Sequence, residues 1–351
     1  MEPSAYIPRY LERSYLRAHP DLTPAARTLV HEEIAADPER FATDDHARVL
    51  LSYQRVHSDL LLELSRMEEL PDGEFEQRRN ALFDRAREEL HRIGEADRLC
   101  VDARLTDIML ADVPLDALIN DLLVLERQVA DYLAAGVEGF SADAPHFWNE
   151  EVLERDGETA AERTAASPEV IGWLHTLEAI GELCLASARY QAAAVYARRV
   201  MRAEGYTSNA RGTLLLALAR LELEDEFFEA ASDGDGAAAQ GDPWGPVEDS
   251  PWYLLGRTVL LYKAGRDRAA RRALKEFARR CEGGAFFLLN PTYLTPYLPV
   301  RPPAAHAWER SHQAVWEADG ILADCPDFGT WAAGVPGVED ASEEFARRQG
   351  F

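Results

Sequence analysis

The strongest constraint on this chain is a recurring arrangement of small and large apolar residues between Ser167 and Pro299, laid out on three successive helix pairs. In the first pair Leu177, Ile180, Gly181 and Cys184 share one helical face, Tyr190 stands at the turn, and Ala193, Ala197 and Val200 continue on the next helix. The second begins near Asn209, with Leu214, Leu215, Leu218 and Leu221 before its turn and Phe227 and Phe228 after it. The third carries Leu254, Thr258 and Leu261, turns at Gly265-Arg266-Asp267, and continues with Ala270, Ala273, Leu274 and Phe277. Apolar residues three and four apart line one side of a helix. A hairpin this short cannot bury that side alone, so it must stack on its neighbours. The pattern predicts an all-α array of helical hairpins, an α-solenoid.

Length admits one extended array or two ordinary domains, since the chain has 351 residues and compact domains mostly run about 100 to 150. Its apolar share of 47% and charged share of 28% are those of a folded chain, which restricts disorder to the ends. Against 62 acidic residues stand 37 basic ones, for a formal charge of −25, and only Lys263 and Lys275 are lysine. Arginine without lysine, among much Ala, Gly and Asp, is the usage of a GC-rich bacterial genome. Nucleic-acid affinity comes largely from Lys and Arg neutralising phosphates, so no nucleic-acid partner is expected. The same negative field either draws in basic protein segments or only maintains solubility. No apolar run approaches the roughly 18 to 20 residues that span a bilayer, and Met1-Glu2-Pro3-Ser4 lacks the basic start of an export signal. The expectation is a cytoplasmic chain with no membrane partner. Cys100, Cys184, Cys281 and Cys325 are isolated and read as reduced core residues.

Residues 1–95 read as a helical N-terminal layer that caps the array. Thr23-Pro24 opens one helix as N-cap and first-turn proline, and Asp37-Pro38 closes it. Thr43 caps a longer helix bearing Leu50, Tyr53, Leu60 and Leu64, and Pro71-Asp72-Gly73 turns into another with Phe75, Leu82, Ala86 and Leu90. Residues 96–332 form the array, beginning with a pair that restarts at Pro114. Two insertions interrupt it. Residues 136–166 hold Phe147 and Trp148 amid acidic residues, as a small packed lid or a mobile loop. Residues 232–251 are a Gly, Asp and Pro linker that does not fit a calcium loop. The prolines between Asn290 and Pro299 exclude helix. A helix from Ala304 to about Leu322 is placed to cover the end of the array, and residues 333–351 read as a loose tail.

In these hairpins the chain resembles tetratricopeptide repeats, whose period is about 34 residues and whose small residues sit where two helices cross. From Glu95 to Trp331 it is similar to the bacterial relatives of the suppressor of tumorigenicity 7 family. The marks are His146-Phe147-Trp148, Asn209-Ala210-Arg211-Gly212, Gly256-Arg257 through Arg271-Arg272-Ala273-Leu274, and Asn290-Pro291 followed by Pro296-Tyr297-Leu298. The Arg-Pro-Tyr-containing segment that follows the Phe-Trp pair in that family is replaced here by Glu150 to Ser167. The resemblance implies a helical-repeat protein and supplies no reaction.

The chain carries no Gly-x-x-x-x-Gly-Lys phosphate loop and no Gly-x-Ser-x-Gly elbow, and His31-Glu32-Glu33 lacks the second His four residues on that zinc needs. No catalytic residue, metal ligand or cofactor is assigned. Binding positions follow from the resemblance, because the first helix of each tetratricopeptide pair lines the concave face. That places His175, Glu178 and Glu182 of the first repeat there, with Asn209, Thr213 and Arg220 of the second and Trp252, Tyr262 and Lys263 of the third. Rings supply contact area and polar groups fix register, which suits a peptide. Arrays that grip a C-terminal carboxylate need Lys and Asn where this chain has Glu178 and Glu182, so a basic or neutral protein or peptide is expected. The same side chains otherwise face water, or are covered by residues 290–303, with Tyr293 and Tyr297 filling the groove. The function expected is a non-catalytic interaction scaffold or adaptor. The alternative is a small-ligand sensor or enzyme with its site under residues 136–166, beside Phe147 and Trp148. Oligomeric state is left open.

Overall fold

The computed structural model of the protein describes residues 1–67, 70–232, 247–294, 304 and 306–351. Among these residues there are eighteen α-helices and no strand, only an isolated antiparallel bridge between Phe140 and Trp148. The all-α expectation holds. The chain divides into two compact units, the first made of Met1–Leu177 with Arg202–Tyr206, the second of Glu178–Met201 and the described residues from Thr207 onward. The division falls at Leu177, within the helix Pro168–Ala186. None of the described helices is long and apolar enough to cross a membrane.

The first unit contains α1 (Pro3–Ala18), α2 (Pro24–Ala36), α3 (Asp45–Met67), α4 (Asp72–Ala96), α5 (Val101–Met109), α6 (Leu115–Gly136), α7 (Glu150–Asp156), α8 (Ala160–Ala165) and the start of α9 (Pro168–Ala186). The Thr23 hydroxyl accepts the Ala26 N–H with Pro24 in the first turn, as the sequence implies. Helix α3 starts later than Thr43 suggests, because Asp44 Oδ1 accepts the Ala47 N–H at 2.7 Å. Its buried Leu50, Tyr53, Leu60 and Leu64 follow the helical spacing of the sequence. Consecutive helices pack in turn, α3 on α4, α4 on α5 and α5 on α6.

The second unit holds the end of α9, then α10 (Tyr190–Met201), α11 (Ala210–Leu221), α12 (Glu224–Ser232), α13 (Pro251–Lys263), α14 (Asp267–Arg280), α15 (Gly284–Leu289), α16 (Trp308–Ala323), α17 (Phe328–Ala333) and α18 (Val338–Gln349). Here α10 packs on α11, α11 on α12 and α13, and α13 on α14. Helix α11 is buried at every residue from Gly212 to Ala219, as befits a helix with neighbours on more than one side. Helix α14 is its opposite, burying Ala270, Ala273, Leu274 and Phe277 and exposing arginines. Gly212 is needed for close approach: a Cβ there would lie 2.7 Å from Trp252 Cγ.

Residues 333–351, read as a loose tail, instead contain α18, whose buried Phe345 lies 5.4 Å from the ring of Phe286 and 5.8 Å from that of Phe287. All four cysteines are free, and burial pushes the Cys281 thiol up to about 12. Most of the 232–251 linker, and the Pro-rich residues from 295 to 303 including Tyr297, lie outside the described residues.

Candidate functional site

Four of the expected groove residues, Asn209, Arg220, Trp252 and Tyr262, meet one segment of the chain itself, the stretch carrying α16 and α17. Trp252, in the first turn of α13, is buried and donates its indole N–H to Glu317 Oε2 at 2.6 Å. Asn209, just ahead of α11, donates through Nδ2 to both Glu317 oxygens at 3.3 and 3.4 Å, and Gln313 Nε2 donates to Glu317 Oε1 at 2.8 Å. Glu317 is only 7% exposed, and three donors are what a carboxylate withdrawn from water requires. Arg310 on the same helix lies over the Trp252 ring at 5.9 Å.

Glu178 and Glu182 belong to this cluster. The Asn209 backbone N–H donates to Glu178 Oε1 at 2.8 Å. Burial, then the nearby Glu178 and Glu317, push the Glu182 carboxyl well above the ordinary carboxylate range. That favours its neutral form. Thr213 is buried, and its hydroxyl oxygen has no partner among the described residues.

Further along the face, Arg220 donates from Nε and Nη2 to Asp324 Oδ2 at 3.2 and 3.0 Å, and the Tyr190 hydroxyl reaches the same oxygen at 3.2 Å. Tyr262 packs against Phe328 at 5.1 Å and Trp331 at 4.7 Å. The Trp331 indole in turn donates to Asp267 Oδ1 at 2.9 Å. Lys263 is turned elsewhere and pairs with Glu222 at 3.2 Å. Tyr293 lies against Phe286 and Phe351. Cover for Trp252, Asn209 and Tyr262 comes from α16 and α17; the alternative cover by residues 290–303 falls mostly outside the described residues. Glu317 and Asp324 were missed; the available signal was a glutamate set among Ala314, Val315, Ala318 and Ile321, all buried.

His175 belongs to the first unit. Its Nδ1 is 2.8 Å from Asp102 Oδ1, and the buried Tyr6 hydroxyl donates to Asp102 Oδ2 at 2.6 Å. Burial opposes ionisation of Asp102, yet His175 and Tyr6 outweigh it and hold the carboxyl below its usual value. Asp102 stands in a run read from the sequence for its apolar residues, which left it unremarked.

Phe147 and Trp148 are each 1% exposed. Phe147 meets Trp173 edge-on at 5.0 Å, and Phe140 meets Trp148 at 6.1 Å. The Trp148 indole donates to Thr164 Oγ1 at 2.9 Å. Arg202 stacks over Phe147 at 4.6 Å while donating to the carbonyls of Ala142 and Ala144. Arg13 grips Glu158 through two bonds of 2.8 and 2.6 Å. Residues 136–166 therefore form a packed layer whose two rings are buried among others. Phe147 has a φ of 69°, a left-handed conformation that costs an aromatic residue energy and persists only under such packing.

Among the described residues no group of three or more His, Cys, Asp or Glu side chains is placed to hold a metal ion. No protein-family model matches the chain, nor does any curated protein or solved structure.

Proposed function

We propose that this protein is a non-catalytic interaction scaffold whose binding face, formed by α11 and α13, is occupied by its own α16–α17 segment until a partner displaces it. The observation that carries this reading is the buried Glu317 carboxylate held by Trp252, Asn209 and Gln313. Helix-in-groove recognition works through anchors of this kind, with apolar contact for affinity and buried polar groups for register. The occupying segment also suggests the partner's chemistry, an amphipathic helix with one carboxylate facing Trp252, a second facing Arg220 and an aromatic residue facing Tyr262. A basic or neutral partner was inferred from Glu178 and Glu182. Glu182 is biased toward its neutral form, which weakens the case for a basic partner, and the carboxylates of the resident segment favour an acidic helix.

The tetratricopeptide character of the hairpins and the likeness to the suppressor of tumorigenicity 7 family belong to the same proposal, supported by the serial packing of α10, α11, α13 and α14. A small-ligand site beneath residues 136–166 is the weaker reading, since Phe147 and Trp148 are filled against other rings.

A peptide-exchange assay tests the scaffold. A fluorescent peptide spanning residues 308–333 is titrated into the full chain carrying Glu317→Ala and Asp324→Ala, which loosen the resident segment. The labelled peptide should bind this variant more tightly than wild type, and a peptide bearing the same two changes should bind neither. A folded variant that ignores the wild-type peptide would sink the proposal.

A further inference from the structure

In the first unit α4, α5 and α6 frame a cleft of about 430 Å³ lined by Glu95, Arg98, Arg104, Asp107, Gln128 and Tyr132 among others. Two arginines face it. Arg104 of α5 donates from Nη2 to Gln128 Oε1 at 2.6 Å, and Arg98, just beyond α4, donates from Nη1 to the Tyr132 hydroxyl at 3.2 Å. Gln128 and Tyr132 both stand on α6, so one helix orients both guanidinium groups. The Arg104 Nη1 is withdrawn from water and has no acceptor among the described residues. Buried donors are nearly always bonded, and one left open beside a cavity needs an explanation.

The charges point the same way. Burial lowers the Arg104 pKa, and repulsion from Arg98 adds to this, partly offset by Tyr132 and Glu95. Two like charges share the cleft although the chain carries a net −25. Asp107, a candidate to neutralise them, is already taken by Arg87 Nε at 3.0 Å and stands 3.7 Å from His91. Glu95 lines the rim and is exposed. The backbone makes room for the arginine: Gly94, in the last turn of α4, lies where a Cβ would stand 2.8 Å from Arg104 Cγ.

We propose that this cleft binds a small oxyanion, a phosphate or carboxylate group, which accepts from the exposed donors of Arg98 and, once the Arg104 guanidinium turns toward the cleft, from Arg104 Nη1. The guanidinium fork matches the spacing of two oxygens on one centre, and a bound anion would satisfy the open donor and relieve the repulsion together.

Calorimetric titration of the full chain, with ionic strength matched by sodium chloride, tests this with inorganic phosphate in one series and succinate in the other. At least one probe should give saturable binding, and the stronger of the two identifies the anion class. Arg98→Met and Arg104→Met should each weaken it about tenfold or more, the scale of a lost charge-assisted pair. Arg104→Lys should weaken it less, and Gly94→Ala should weaken it without touching a charge. Circular dichroism reports whether each variant keeps its fold. Arg98 is exposed, so Arg98→Met carries the test even where Arg104→Met perturbs folding. If neither probe saturates, or if Arg98→Met binds as wild type does, the site is refuted.

Discussion

Glu317 in the second unit and Arg104 in the first both hold ionisable atoms away from water, and their surroundings differ in one respect. Glu317 receives donors from Trp252, Gln313 and Asn209. Arg104 bonds to Gln128, and its Nη1 has nothing to donate to among the described residues. A buried polar group left unbonded costs about 1–3 kcal/mol. The first constellation is complete within the chain and must be opened before that face can hold anything else. The second is unfinished within the chain, and a turn of the guanidinium would present its open donor to a ligand. Exposure alone would not separate them; hydrogen-bond satisfaction does.

The largest expected effect breaks the complete side. Glu317→Ala strands three donors and should cost about 3 kcal/mol in urea unfolding, with faster hydrogen exchange in α16 than in α14. A loss below about 1 kcal/mol would show that water replaces the carboxylate and that the face is less closed than its geometry implies. Trp252→Phe keeps most of the ring and deletes one donor, so about 1–2 kcal/mol is expected. Measuring the double variant closes a cycle: if the two losses add, Trp252 and Glu317 are not coupled as the 2.6 Å bond requires.

Glu182 sharpens the comparison through pH. Burial, Glu178 and Glu317 raise its carboxyl well above the ordinary 4.5. The folded chain therefore keeps a proton that the unfolded chain releases. The stability tied to that proton is complete below the unfolded value and is lost as pH rises through the folded one. Asp102 shifts downward, so its contribution is lost on the acid side instead. Glu182→Gln should flatten the decline in unfolding midpoint as pH rises above the ordinary carboxylate range and stabilise the chain at neutral pH. A profile that superimposes on wild type would assign the proton to another group.

Much of this was legible in the sequence, for reasons that differ by residue. Leu254, Thr258, Leu261, Ala270, Ala273, Leu274 and Phe277 are all buried where their spacing puts them, because helical periodicity is a local property. The division at Leu177 left no local mark, since it falls inside the continuous pattern of α9. Helix α18 was missed because Gly334 and Gly337 look like the start of a tail, while the burial of Phe345 depends on Phe286 and Phe287, distant in sequence. The candidate face was half readable. Asn209 and Trp252 could be named from helix geometry, but Glu317 lies 65 residues beyond Trp252, and nothing near either residue announces the other. Arg104 was passed over as one charge in a helix read for its apolar residues. A glycine near the end of α4 was the available hint.

The smallest effect concerns that arginine. Arg104→Met keeps an unbranched stem beside Gly94 and gives up the bond to Gln128, which favours wild type by about 1 kcal/mol. It also removes a buried donor with no acceptor and the repulsion with Arg98, which favour the variant by a similar amount. The two nearly cancel, so urea unfolding in chloride buffer should place the variant within about 0.5 kcal/mol of wild type, far from the cost of Glu317→Ala. Adding the better-binding anion should then separate them, because wild type gains stability through ligand binding and the variant gains less. A loss of about 2 kcal/mol or more in chloride alone would mean that Arg104 is satisfied in the folded chain. The contrast with Glu317 would then disappear.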